Sequence, residues 1–251
     1  MRRVRRLLAK RSTRWAERAF VAEGVELLRT ALDAGALPEA VYVAAEGGHG
    51  VAELATTVEA RGVRVHRLAP GVMARVAGTV TPQGVLGVFP MVDRGPEVLA
   101  GGTLAVVLLD VRDPGNAGTV LRTADAAGVD AVVCCGGTVD PYNPKTVRSS
   151  AGSIFHVPLV VEPDPAAVLA VLAANGYRCL GTGVRAGEDY AAVDWRVPTA
   201  VVLGNEAAGL PAGLGLDGTV AVPMEGRAES LNVGTACAVL CFEALRQRRT
   251  R

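Results

Sequence analysis

The chain has 251 residues, 50% of them apolar and 20% charged, which excludes a disordered polymer. Surface scaling for 25.8 kDa gives about 10,500 Å² exposed when folded against about 37,000 Å² unfolded, enough burial for one large domain or two modest ones. The net charge of +1 argues against a polyanionic partner until it is located: eight basic residues and one acid in the first 20 residues put +7 at that end and leave −6 elsewhere.

In chain order, Val4 to Lys10 reads as a short basic helix and Phe20 to Ala22 as a strand. Val25, Leu27, Leu28, Ala31 and Leu32 follow helical spacing and stop at Gly35. A strand over 40–44, a helix over 51–60, a strand over 63–65, a short helix over 72–77 and a strand over 85–89 complete a small α/β unit. Residues 90–102, with two Pro and three Gly, read as a linker. The run LAVVLL at 104–109 then has the continuous apolarity of a buried parallel strand. Helices are expected at 117–127, 143–151, 165–174 and 232–248, and strands at 131–135, 154–160, 177–182, 199–203 and 219–223. The expected class is α/β, with parallel sheets in two domains spanning 1–95 and 96–251.

The five cysteines (134, 135, 179, 237, 241) contain no C-x2-C pair and lie far in sequence from His49, His66 and His156, so no metal site is expected. Buried reduced thiols point to a cytoplasmic protein. The basic N-terminus lacks the apolar stretch of a signal peptide, and no run is long enough to span a membrane.

Two glycine patterns imitate a dinucleotide fingerprint. Gly213-x-Gly215-x-x-Gly218 precedes a strand instead of opening a helix after one, and Gly181-x-Gly183 finds its next glycine one residue late, at Gly187. No histidine is placed by sequence beside a nucleophile and a carboxylate, which leaves a hydrolytic triad without its base. Three segments share a more specific plan, with polar residues at the ends of buried strands, where open α/β sheets bind ligands. They are LDVRDPGNAGTVLRTA (109–124), with Asn116 as the expected helix cap and Arg122 beyond it; AVVLGNEAAGLP (200–211), with Glu206; and VPMEGRAESLNVG (222–234), with Ser230 and Asn232.

These three segments resemble, in order, the signature motifs of the SpoU/TrmH branch of the SPOUT RNA methyltransferases; NPKTVRSSAGSIFHVP (143–158) and FVAEG (20–24) also resemble family segments. The resemblance implies a C-terminal parallel-sheet domain tied in a trefoil knot and a smaller N-terminal α/β domain that binds the RNA substrate. It implies transfer of methyl from S-adenosylmethionine to a ribose 2′-hydroxyl, with Asn116, Arg122, Glu206, Ser230 and Asn232 as catalytic residues. Thr182, Gly183, Leu203, Gly204, Val222, Met224 and Leu231 would hold the cofactor, and the C-terminal domain would form a homodimer. Asn116 is expected to orient Arg122 or the ribose.

RNA contact is expected from Arg2, Arg3, Arg5, Arg6, Arg11 and Arg14, with Arg148 near a motif loop; Trp15 is expected to pack and not to stack on a base. Ribosomal RNA is the expected substrate, with transfer RNA as the alternative. The other classes are a catalytically silent RNA-binding protein and, on the glycine patterns, a nucleotide-dependent oxidoreductase.

Overall fold

The structure is a computed structural model describing residues 1–77, 82–183 and 187–249. Its accessible surface is 11,775 Å². The chain divides into two compact units: residues 1–92 with 142–155, and residues 93–141 with 156–251. The segment 142–155, read from sequence as part of the second domain, thus packs with the first unit.

In the first unit, α1 (Arg2–Ala9) and α2 (Arg11–Glu17) lead into β1 (Ala19–Glu23), α3 (Val25–Asp33), β2 (Ala40–Ala44), α4 (His49–Ala60), β3 (Arg64–Leu68), α5 (Val72–Val76) and β4 (Val85–Pro90). The strand order is β1-β4-β2-β3. The sheet is mixed, not parallel as expected: β4 inserts between β1 and β2 and runs opposite to both, while β2 and β3 are parallel. Helical crossovers after β1 and β2 keep β1, β2 and β3 in one direction, and the last strand fills the gap between the first two.

α1 is amphipathic: Val4 and Leu7 join Val21, Leu86, Val88 and Met73 of α5 in one core cluster, while Arg2, Arg5 and Arg6 face outward. The sequence RSTRWAE carries no apolar period, so α2 was not expected. Tertiary contacts define it: Thr13 and Arg14 are buried, and Trp15 packs edge-on to Tyr142 at 6.1 Å. Tyr142 and Phe155, from α7 (Pro144–Ser149) and its flanks, meet Phe20 and Phe89 with centroid separations of 4.9 and 5.0 Å. That aromatic cluster explains why 142–155 leaves its sequence neighbours.

The second unit contains β5 (Leu104–Leu109), α6 (Pro114–Ala127), β6 (Ala131–Cys135), β7 (Leu159–Val161), α8 (Pro165–Ala174), β8 (Arg178–Gly183), β9 (Glu188–Asp189), β10 (Thr199–Leu203), β11 (Gly218–Ala221) and α9 (Val233–Arg249). Among the described residues the sheet is parallel, in the order β7-β6-β5-β10-β8-β11-β9. β5, β6 and β10 are buried along their whole length, as their unbroken apolar runs require. The expected strand over 154–160 is a 3-10 turn at Ser153–Phe155 followed by β7, because Pro158 has no N–H for a ladder and Phe155 is anchored in the aromatic cluster.

All five cysteines are free and buried. Burial pushes the Cys134 and Cys135 thiols up to about 12 and Cys179 up to about 11; hydrogen bonding to Cys241 raises Cys237. At pH 8 a thiol of pKa near 12 holds about a thousandth of the thiolate of an ordinary cysteine. Iodoacetamide should therefore leave the native protein unmodified and label all five sites in guanidinium. Rapid labelling of the native protein, read by intact mass, would contradict this burial.

Candidate active site

The carboxyl ends of β8, β10 and β11 and the first turns of α9 line one cleft. It lies at the carboxyl edge of the parallel sheet, the side on which open α/β sheets bind ligands. The structure brings Thr182, Gly183, Leu203, Gly204, Val222, Met224 and Leu231 together around this cleft, with Glu206 and Ser230 from the catalytic set. The remainder of the loop after Gly183, residues 184–186, lies outside the described residues. Asn205, Gly209, Val220, Val233, Ala236 and Leu240 also line the cleft, and sequence reading had missed them. Asn205 stood in plain view inside the Gly-Asn-Glu segment; the α9 residues could not be separated from ordinary core positions by spacing.

Local hydrogen bonding builds the rim. α6 begins at Pro114, earlier than expected, and its cap is Asp113, whose Oδ1 accepts from the Asn116 backbone N–H at 2.9 Å. Asn116 is therefore not the cap, and its side chain is free for another use. Its Nδ2 donates to Glu206 Oε1 at 2.7 Å, and its Oδ1 accepts from Asn232 Nδ2 at 2.8 Å. Asn232 in turn caps α9, its Oδ1 accepting from the Gly234 N–H at 2.9 Å. One chain of hydrogen bonds thus joins all three motifs. Asn116 bonds to Glu206 and Asn232 and not to Arg122; of the two expected roles, Arg122 or the ribose, the ribose one stays open.

A second set of bonds shapes the loop after β10. Asn205 Nδ2 donates to the Asp110 carbonyl at 2.9 Å, and its Oδ1 accepts from the Ala207 and Ala208 N–H groups. Asp110 sits in the left-handed region at φ +59°, with Oδ1 accepting from the Gly137 N–H at 2.6 Å. Asp110 and Asn205 are the positioning residues sequence reading passed over. A Cβ on Gly204 would fall 2.7 Å from the Gly209 carbonyl carbon and oxygen, so only glycine fits there.

Arg122 lies six residues beyond Asn116 on α6, about 9 Å along the axis. It is exposed, outside the lining of the cleft, and makes no hydrogen bond or ion pair among the described residues. One turn further, Asp125 Oδ2 lies 3.0 Å from His156 Nδ1. His156 thus pairs with a carboxylate of the helix that carries Arg122, although no such pairing was legible in sequence; His156 does not line the cleft.

Of the arginines expected to meet RNA, Arg2, Arg5, Arg6, Arg11 and Arg148 are exposed. Arg3 bridges Glu17 and Glu39 at 2.6 and 2.7 Å. Arg14 is the correction: it is 3% exposed, and its Nη1 donates to the Leu7 carbonyl at 2.7 Å, closing the end of α1. Its guanidinium does not reach the surface.

The cleft fits S-adenosylmethionine. Its walls are mostly apolar, which suits an adenine ring, and Gly204 and Gly209 bring main chain to the lining. Thr182, Asn205, Glu206 and Ser230 supply polar groups at the edge. Among the described residues no cluster of His, Cys, Asp and Glu could hold a metal ion, and no helix is long and apolar enough to cross a membrane.

Comparison with known proteins agrees with this geometry. Residues 103–242 match the SpoU rRNA Methylase family, and residues 1–87 match the MRM3-like substrate binding domain. The chain is 38% identical over 226 residues to the 23S rRNA (guanosine(2553)-2'-O)-methyltransferase RlmP of Bacillus subtilis, covering 89% of this chain and 87% of that protein. It is 33% identical to the 23S rRNA (guanosine-2'-O-)-methyltransferase RlmB of Xanthomonas axonopodis, covering 86% and 91%. The crystal structure of the SpoU methyltransferase AviRb from Streptomyces viridochromogenes in complex with AdoMet superposes with a TM-score of 0.88 at 30% identity, covering 99% and 97%. With both halves of the sequence matched and the three motifs joined at one cleft, the chain belongs to the SpoU rRNA methylase family.

Proposed function

We propose that the protein transfers a methyl group from S-adenosylmethionine to a ribose 2′-hydroxyl of ribosomal RNA. The observation that carries this reading is the Asn232–Asn116–Glu206 hydrogen-bond chain at the edge of an apolar cleft, in a chain whose curated relatives are named for 23S rRNA 2′-O-methylation.

Bound in the cleft, S-adenosylmethionine supplies an electrophilic methyl group. The protein must then position a weak nucleophile and offset the charge that develops on its oxygen. Ser230 and the Asn232–Asn116 pair shape the ribose side of the cleft. Glu206 fixes the Asn116 amide by accepting from Nδ2, which leaves Oδ1 for Asn232. A guanidinium holds its proton too tightly to be a ready base, so Arg122 grips an RNA phosphate and stabilises the forming alkoxide, while the hydroxyl proton leaves to solvent water at the open edge of the cleft. Asn116, Glu206 and Asn232 act as one hydrogen-bonded unit, with Ser230 beside Glu206 in the cleft lining and Arg122 reaching in from α6 only when RNA is bound.

The test uses deuterated-methyl S-adenosylmethionine with ribosomal RNA and, separately, transfer RNA, followed by nuclease digestion and mass spectrometry of the nucleosides. The expected product is a labelled 2′-O-methylnucleoside from ribosomal RNA. Label confined to a base, to transfer RNA, or absent would overturn the reading.

Capture of the RNA backbone falls to Arg2, Arg5, Arg6 and Arg11 in the N-terminal unit, with Arg148 on α7. Deleting residues 1–14 would remove core residues Val4 and Leu7, so side-chain replacement is the sound test. Changing Arg2, Arg5, Arg6 and Arg11 to Gln should weaken RNA binding and flatten its dependence on log salt by about 0.7 to 0.9 per lost phosphate contact, with cofactor affinity unchanged. An unchanged slope would remove these residues from the interface.

Three further features belong to this reading. The C-terminal domain is threaded as a trefoil knot, in keeping with the out-of-order strands β10, β8 and β11 around the cleft. Two copies pair through that domain, where Phe242 on α9 is 47% exposed; light scattering should return twice the chain mass. The buried free thiols suit a cytoplasmic location.

A further inference from the structure

The N-terminal unit carries an aromatic pair that the basic arm does not account for. Tyr42 on β2 and His66 on β3 are register partners, so they project from the same face of the sheet. Their rings stack with centroids 4.9 Å apart and planes inclined by 16°. Tyr42 is the inner member and packs on the core cluster that contains α1 and α5. His66 is the outer member: β3 ends the sheet, so no further strand flanks it, and both rings are only half-buried. Arg67, on the opposite face, is tied to Glu59 at 2.8 Å. Arg64, on the His66 face, is exposed and makes no ion pair among the described residues.

That face is also the one covered by α1. Arg5 donates from Nη2 to the Arg75 carbonyl of α5 at 3.3 Å, which lays the basic helix along α5 above this sheet. A half-open stacked ring pair with the exposed Arg64 on its own strand, in a unit whose α1 turns Arg2, Arg5 and Arg6 outward, is an arrangement suited to unpaired nucleotides. The π-face takes a base, and the cations follow the phosphates. Charge selects RNA over a protein partner, since the first 20 residues carry +7.

We propose that an unpaired nucleobase of the RNA stacks on His66, backed by Tyr42, with Arg64 and the α1 arginines holding its phosphates. This rests on the RNA reading above and names the structure recognised: a single-stranded segment, not a duplex. His66 here is a binding residue and takes no part in methyl transfer.

The experiment compares a fluorescein-labelled single-stranded RNA dodecamer with a fully paired RNA duplex, by anisotropy, on full-length His66→Ala, His66→Phe and Tyr42→Phe proteins. His66→Ala should weaken the single strand about 5- to 100-fold and leave the duplex unchanged. His66→Phe and Tyr42→Phe keep the ring faces and should bind as wild type, and the salt slope should not move, because stacking releases no counterions. Cofactor affinity and melting temperature serve as controls for folding. Wild-type single-strand affinity in His66→Ala would overturn the proposal. So would His66→Phe binding as weakly as the alanine variant, or equal losses on strand and duplex. A wild-type protein that shows this stacking signature yet methylates no RNA would defeat the methyl-transfer reading alone.

Discussion

Arg122→Ala should lower the rate of methyl transfer about 10²- to 10³-fold while leaving S-adenosylmethionine affinity and thermal stability unchanged. The side chain is exposed on α6 and has no hydrogen-bond or ion-pair partner among the described residues, so its removal breaks nothing in the fold. It does not line the cofactor cleft, so ground-state binding of the cofactor has no reason to change. On the proposed function, what is lost is a charge aimed at a phosphate and at the alkoxide that forms during reaction, an interaction felt in the transition state. Arg122→Lys retains the charge without the bidentate fork and should recover only part of the rate. Single-turnover kinetics with saturating RNA measure this directly, and an Arg122→Ala enzyme at the wild-type rate would strip the residue of its role.

Gly204→Ala should abolish S-adenosylmethionine binding in a protein that still folds. The added Cβ would lie 2.7 Å from the Gly209 carbonyl and 2.8 Å from the Leu210 nitrogen, all main-chain atoms that cannot swing away. The loop is closed on itself by the Gly209 N–H donating to the Asn205 carbonyl at 2.9 Å, so relief requires opening the turn that lines the cleft. Overpacking of this kind costs about 1–3 kcal/mol of stability. The larger effect falls on the ligand, whose site is the loop that moves. Calorimetric titration should show no binding heat, and wild-type affinity would mean that the loop after β10 does not hold the cofactor.

Much of this was legible in the sequence because it is encoded locally. The unbroken apolar runs of β5, β6 and β10 read as buried parallel strands and are so, and the apolar run of α8 is a helix as expected. The three motifs identified the family because each is a short run of backbone turn and polar side chain. The N-terminal sheet was misread as parallel because strand direction is not written in a strand: β4 looks the same whether it extends an edge or inserts between β1 and β2.

The sequence by itself determined most of the elements, the apolar cores, the basic arm and the three motif segments. Tertiary structure decided what those residues do with their hydrogen bonds. Asn116 looked like a cap until Asp113 took that place, leaving an amide to join Glu206, 90 positions away, with Asn232, 116 positions away. Arg14 looked like a phosphate ligand until the end of α1 claimed its guanidinium. The physical reason is common to both. A side chain's pattern fixes which face of its helix it occupies, but its partner is set by packing between distant segments, and an unpaired polar group close to a core is too costly to leave without one.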